Sequence, residues 1–191
     1  MNLRWMKPGL TAALLLACLW AQASELSDKL QTADYVLLMR HTRAPGIGDP
    51  PQFALGDCTT QRNLSAEGRK QAVVIGRWLK KQGIASAALY TSAWCRCKDT
   101  AELLNLGHAQ VEPSLASFFD EMHQAPESTR QLQRFVADQV HTKGRQALIV
   151  VTHHVNIAAY TGENIASGEM VLAKVDPKGQ LLSYRLIPRP D

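Results

Sequence analysis

No segment of this 191-residue chain repeats and none is of low complexity, which excludes solenoids, blade repeats and fibrous designs. Charge of one sign is not in large excess, with 21 lysines and arginines against 17 acidic residues. That balance excludes a protein held to nucleic acid by bulk charge. No apolar run is long enough to cross a bilayer as a stable helix; the longest, from Leu10 to Trp20, falls short. A dinucleotide fingerprint is also missing, because Gly46-x-Gly48 reads as a turn with no strand–glycine–helix context. Cysteine is scarce, with four residues in all.

The amino-terminal stretch has the layout of a secretory signal peptide. Arg4 and Lys7 form a basic start, Leu10 to Trp20 is apolar, and Ala21-Gln22-Ala23 supplies an A-x-A cleavage site before Ser24. A second reading takes Leu15-Leu16-Ala17-Cys18 as a lipoprotein site anchored at Cys18, with Leu16 bulky for its position. Both readings export the protein, to the periplasm, with no membrane span after cleavage. The expected organisation is a signal peptide over 1–23 and a single domain over 24–191. Those 168 residues suit one domain with a full core. Losing Arg4 and Lys7 leaves 19 basic residues against 17 acidic, so any positive charge that matters is local. Three cysteines remain. Cys95 and Cys97 are too close for an unstrained mutual bridge, so an oxidising compartment favours Cys58 with one or the other.

The spacing of apolar residues predicts strands over 35–39, 87–91, 109–111 and 147–151, alternating with helices. Ser65 caps a helix running to Gln82 and stopped by Gly83, with Ala72, Val73, Ile75 and Leu79 as its apolar positions. A second helix starts near Ser92, where the Ser92 hydroxyl serves as cap, and ends before Gly107. A third runs from about Glu127 to Thr142 with Leu132, Phe135, Val136 and Val140 on one face, and a short one lies near 155–160. Met170 to Val175 and Leu181 to Ile187 flank Asp176-Pro177-Lys178-Gly179 and read as a hairpin. The expected fold is therefore α/β, a three-layer α/β/α sandwich whose mostly parallel sheet ends in an antiparallel C-terminal hairpin.

Three strand exits carry arginine and histidine where solvated turns usually carry Gly, Asn, Asp or Ser. The first is Arg40-His41-Thr42-Arg43, the second Thr91-Ser92-Ala93-Trp94-Cys95-Arg96, the third Thr152-His153-His154. Parallel topology gathers such exits at one sheet edge, where open α/β folds place their ligands. Arginines hold phosphate through planar paired hydrogen bonds, and a neutral imidazole among them is a nucleophile toward phosphorus. Arg96 also lies in the first turn of its helix, whose free N–H groups favour an anion. Bland readings stand beside this one. His154 next to His153 reads as packing or solvent-facing, since neighbours in a strand point to opposite faces. Cys95-x-Cys97 lacks the second ligand pair of a copper or zinc site. His108, His123 and His141 read as surface residues, and Trp78 and Trp94 as core.

The Arg40-His41-Thr42 run, the stretch from Ser92 through Arg96-Cys97 to Thr100, and Val151-Thr152-His153 together resemble the histidine phosphatase superfamily, its phosphoglycerate mutase-like branch. Gly48-Asp49-Pro50 through Asp57-Cys58 to Gln61-Arg62-Asn63-Leu64-Ser65 is similar to a subgroup of small exported bacterial members. The resemblance implies a phosphoglycerate mutase-like fold and a phosphatase that works through a phosphohistidine on His41. Arg40, Arg96 and His153 then hold the phosphoryl oxygens, and no metal or other cofactor is required. It also implies a small phosphorylated substrate, with a sugar phosphate of the lipopolysaccharide core as one candidate. Arg43 follows Thr42 and is expected to touch the substrate; Thr42 itself stands where many members have glycine. The family often places a glutamate after the third strand to protonate the leaving oxygen. Here Ser117 falls at that place, so Glu121 is the favoured donor, with Asp120 beside it and a donor-free reaction as the further alternative. A phosphate-binding protein without turnover on the same scaffold is the competing function, and a metal carrier using Cys95, Cys97 and His154 a third.

Overall fold

The computed structural model describes residues 25–191. The signal segment over 1–23 and Cys18 lie outside the described residues. Six strands form one sheet: β1 (Tyr35–Arg40), β2 (Ala87–Thr91), β3 (Ala109–Val111), β4 (Ala147–Thr152), β5 (Met170–Val175) and β6 (Leu181–Ile187). Their order across the sheet is β3-β2-β4-β1-β5-β6. The first four in that order are mutually parallel, while β5 runs antiparallel to β1 and β6 antiparallel to β5. This is the mostly parallel sheet with a terminal hairpin that the apolar pattern predicts.

The two central strands explain why the sheet is covered on both faces. All six residues of β4 are buried, as are Val36 to Met39 of β1, because parallel strands between helix layers have no solvent face. Helices α1 (Ala66–Lys81) and α2 (Cys95–Leu104) pack on the face presented by Leu37, Met39, Ile149 and Val151. Helices α3 (Ala125–Thr142) and α4 (His154–Thr161) cover the face of Val36, Leu38, Leu148 and Val150. Each large side chain so buried contributes roughly 1.5–3 kcal/mol.

Ser65 caps α1 by accepting from the Gly68 N–H at 3.0 Å, Glu67 and Lys80–Lys81 match the helix dipole, and Gly83 follows at φ +90°. The buried stripe is Ala72, Ile75 and Leu79; Val73 faces solvent instead of joining it. Gly76 sits where an added Cβ would meet the Leu104 carbonyl oxygen at 2.2 Å, so α1 and α2 touch backbone to backbone. Helix α2 begins at Cys95, three residues later than the sequence suggests, with Trp94 at its cap position and no side-chain capping bond. Helix α3 starts at Ala125 with Pro126 in its first turn, a position where the missing N–H costs nothing. Residues 25–30 are helical and bury Leu26 and Leu30 beside α1, a segment too short to show a helical period in the sequence.

Candidate active site at the carboxyl edge of the sheet

Strand register determines which residues meet. Arg40 pairs with Thr152, and Thr91 with Val151, so β1, β4 and β2 end at nearly the same level side by side. The next residues along each strand are His41, His153 and Ser92. The His41 N–H donates to the Thr152 carbonyl at 3.0 Å and the Ser92 N–H to the Val151 carbonyl at 3.1 Å, which extends the ladder one step beyond the strands. As a result the rings of His41 and His153 lie 5.7 Å apart, centroid to centroid, at an interplanar angle of 69°.

His41 is buried at 1% exposure. Its Nδ1 lies 2.8 Å from the Thr42 carbonyl oxygen; a carbonyl only accepts, so Nδ1 carries the proton and Nε2 keeps its lone pair. Burial first, then the charges of Arg96, Arg40 and Arg62, lower the His41 pKa to about 3 against the opposing carbonyl bond, so the ring is neutral at physiological pH. Thr42 in the place of glycine has a structural reason. It is fully buried, its N–H donates to Thr100 Oγ1 at 3.1 Å and its hydroxyl lies 3.1 Å from the same oxygen. Thr100 in turn donates to the Arg96 carbonyl at 2.7 Å. The threonine pair ties the segment that carries His41 to the helix that carries Arg96.

His153 is fully enclosed. Its Nε2 lies 2.9 Å from Ser92 Oγ and its Nδ1 3.5 Å from Arg96 Nη2. Ser92 therefore orients the second histidine and does not cap α2. Burial, with His41 and Arg96 next, holds the His153 pKa well below its ordinary value, so the ring is neutral and not the imidazolium that would add charge to the pocket. Trp94 stands edge-on to His153 with centroids 5.2 Å apart. Arg40 donates from Nη1 to the Ile165 carbonyl at 2.8 Å, which leaves the rest of its guanidinium to the pocket. The Nε atoms of both Arg40 and Arg96 are buried with no hydrogen-bond partner in the protein. Buried donors without partners at a cationic site fit an oxyanion as the missing acceptor.

The cavity measures about 370 Å³. Arg40, His41, Arg96 and His153 line it together, as the strand exits suggest. Three expectations change. Arg43 does not line the cavity; it is exposed and its guanidinium pairs with Glu67 at 3.1 Å, because His41 turns inward and the chain then turns out along α1. Glu121 is also outside the cavity wall, exposed, with its carboxylate bonded to Gln124 at the start of a short 3-10 turn. Asp120 lines the wall in its stead. His154 is not a strand residue facing away; β4 ends at Thr152 and His154 opens α4, so it joins His153 in the wall and packs on Phe119 at 5.6 Å.

Asp49 has a part in the site that the sequence does not announce, while Arg62, which by sequence reads as a grip on a multiply charged substrate or equally as a solvated surface arginine, stands in the wall. Arg62 lines the cavity while donating to the Gly48 carbonyl at 2.6 Å and the Ala44 carbonyl at 2.5 Å. Asp49 accepts from Arg96 Nη1 at 2.8 and 3.0 Å. The signal for Asp49 was the Gly- and Pro-rich run from Ala44 to Gly56, which reads as a loop beside the site; Arg62 lies beyond it, in the run from Gln61 to Ser65. Cys58 is bonded to Cys95, with Cα atoms 5.7 Å apart, which chooses between the two open pairings and fastens that loop to the start of α2. It also takes Cys95 out of any metal set with Cys97 and His154. Cys97 is a free, buried thiol whose pKa burial pushes up to about 12, which leaves it protonated.

The carboxyl edge of the parallel strands gathers two neutral histidines and three arginines around one cavity, an arrangement that fits a small oxyanion such as phosphate. Residues 36–126, from β1 into the start of α3, match the model of the histidine phosphatase superfamily (branch 1). Over that stretch, just under half of its length, the chain is similar to that superfamily. The match includes His41 and Arg96, and the structure brings His153 to them from beyond its end. Several solved structures share the fold. The protein histidine phosphatase SixA, solved with tungstate, has a TM-score of 0.54 at 20% identity over 79% of this chain and 94% of its own. A phosphoserine phosphatase from Entamoeba histolytica, solved with 3-phosphoglyceric acid, has a TM-score of 0.56 at 13% identity over 78% and 95%. A mycobacterial glucosyl-3-phosphoglycerate phosphatase has a TM-score of 0.53 at 15% identity over 81% and 97%. No curated protein matches the chain by sequence.

Proposed function

We propose that the protein is an exported phosphomonoesterase that works through a phosphohistidine on His41. The observation that carries this reading is the state of His41: neutral, anchored through Nδ1 to the Thr42 carbonyl, with the Nε2 lone pair free inside a cavity lined by arginines. In the first step Nε2 attacks phosphorus and the bond to the ester oxygen breaks. The electron pair of that bond goes to the leaving oxygen, which takes a proton from Asp120. Arg40 and Arg96 hold the phosphoryl oxygens, and their charge counts most in the transition state, where negative charge is spread over them. In the second step water attacks phosphorus, gives its proton to the Asp120 carboxylate, and the P–N electron pair returns to Nε2. A leaving group that departs as a stable anion needs no such donor.

Phosphatases among proteins of the same fold support hydrolysis as the outcome. The signal-like segment before Ser24 and the Cys58–Cys95 bridge support export to the periplasm, since such bridges persist in oxidising compartments. No described helix is long and apolar enough to cross a membrane. A sugar phosphate of the cell envelope is the substrate class this location favours. Phosphate release is measured across phosphosugars, nucleotides and phosphorylated lipopolysaccharide, with His41→Ala in parallel. Release by the parent and none by the variant is expected. Phosphate binding with no release from any monoester would favour a binding protein on this scaffold. Export is checked by the N-terminus of protein taken from the periplasm, expected at Ser24; a fatty acid on Cys18 would indicate the lipoprotein form.

A further inference from the structure

The anion pocket contains a buried carboxylate. Asp49 is 5% exposed and Arg96 is 3% exposed at the side chain, so this ion pair has almost no contact with water. An acid facing a phosphate-binding arginine is at first sight a liability, since it cancels charge the substrate needs. The arrangement of its bonds gives it a use.

Both Asp49 oxygens are filled from fixed directions. Oδ1 accepts from Arg96 Nη1 at 2.8 Å and from the Arg62 N–H at 3.0 Å. Oδ2 accepts from the same Nη1 at 3.0 Å and from the Trp94 Nε1–H at 3.0 Å. The carboxylate is thus clamped by a backbone group and an indole, and Nη1 has its two short contacts on Asp49, with a longer one at 3.4 Å to the Arg62 carbonyl. A guanidinium is planar, with Nε–H and one Nη2–H side by side on a single edge. Fixing Nη1 fixes that edge. Its Nε is buried with no partner, and Nη2 has only the 3.5 Å contact with His153. We infer that Asp49 is the positioning residue that holds Arg96 with its Nε–Nη2 edge turned toward the phosphoryl group.

The loop that carries Asp49 is built to hold this position. The Cys58–Cys95 bridge joins it to the residue preceding Arg96, Gln61 Oε1 accepts from the Cys95 N–H at 2.9 Å, and Arg62 braces the Gly48 and Ala44 carbonyls. A free arginine has several rotatable bonds to order before it can bind; here they are ordered in advance. Burial opposes ionisation of Asp49, but the bonds from Arg96, the Arg62 N–H and Trp94 outweigh it and keep its pKa below the usual value. Asp49 therefore stays charged and does not act as the proton donor.

The inference rests on the phosphatase reading only for its turnover arm. Vanadate, a phosphoryl analogue, tests the binding arm without turnover. The intact exported protein is compared with Asp49→Ala, Asp49→Asn, Arg96→Ala and the Asp49→Ala/Arg96→Ala double variant. Two readouts are taken, kcat and KM on p-nitrophenyl phosphate and vanadate Kd by calorimetry, with a thermal melt for each variant. Asp49→Ala is expected to lower kcat/KM about a hundredfold, mostly in kcat, the scale of a misplaced catalytic group. Asp49→Asn keeps an acceptor for Nη1 and removes the negative charge, so it should bind vanadate at least as tightly as the parent. The double variant should match Arg96→Ala within about threefold in both readouts, because without Arg96 nothing remains to position. A double variant that is worse than Arg96→Ala by the full factor of Asp49→Ala overturns the inference. Should Asp49→Ala not fold, Asp49→Asn decides it: tenfold weaker vanadate binding overturns the inference. A parent that binds vanadate but releases no phosphate sinks the phosphatase reading and leaves the binding cycle to judge Asp49. A parent that binds no vanadate overturns both.

Discussion

At the scale of single residues the site is a set of charges arranged so that the histidines stay neutral. His41 and His153 are buried among arginines, and both pKa values are lowered, that of His41 to about 3. The sign of the resulting pH dependence follows from linkage. Between pH 6.5 and 3 the unfolded chain protonates His41 while the folded chain does not, so the unfolded state binds more protons and stability falls as pH falls; His153 acts in the same direction. The slope is about 1.4 kcal/mol per pH unit for each such histidine. Urea midpoints measured between pH 7 and pH 4 should therefore drop steeply for the parent and less for His41→Asn, which removes one titrating ring. Equal slopes would mean that His41 is not held neutral by the fold. Proton donation belongs at this scale too. Asp120 lines the cavity and Glu121 does not. Asp120→Asn should lose about 10²-fold or more in kcat on an alkyl phosphate and much less on p-nitrophenyl phosphate, whose phenolate leaves unaided. Glu121→Gln should behave like the parent on both. The reverse result would return the role to Glu121.

At the scale of elements, strand ends and one loop make the site. Every residue placed directly after β1, β2 or β4 was legible in the sequence, because apolar runs mark parallel strands and parallel strands share an edge. What lay beyond the strand ends was less legible. Ser92 has the look of a helix cap, yet its hydroxyl reaches His153, because α2 starts only at Cys95. Glu121 and Asp120 are adjacent acids in a turn, and nothing in their spacing tells which one faces inward. Asp49 lies 47 residues from Arg96, and their pairing depends on a loop path that no periodicity encodes. The Cys58–Cys95 bridge fixes that path. By the chain-entropy estimate for a loop of its span, 37 residues, it constrains the unfolded chain by about 4 kcal/mol. Reduced protein, or Cys58→Ser/Cys95→Ser, should unfold at lower urea, with an unfolding free energy smaller by an amount near that figure, and lose turnover before it loses helix content. Activity unchanged on reduction would show that the loop holds its place without the bridge.

At the scale of the whole molecule, the layers follow from composition and order. Alternating strand and helix patterns predict a parallel sheet between helices, and the hairpin over β5 and β6 adds the antiparallel edge. The helical residues 25–30 escaped notice because they are too few to show a period; Leu26 and Leu30 bury only once α1 is beside them. The stretch that matches the superfamily model carries His41 and also the loop residues Asp49 and Arg62 that wall the cavity. The proposed phosphoryl transfer through His41 ties the three scales together, and trapping the intermediate tests it. Brief incubation with a ³²P-labelled phosphomonoester, followed by quenching, should leave label on the protein that is lost in acid, survives base and maps to His41. Label that persists in His41→Ala, or that is stable in acid, would contradict the account.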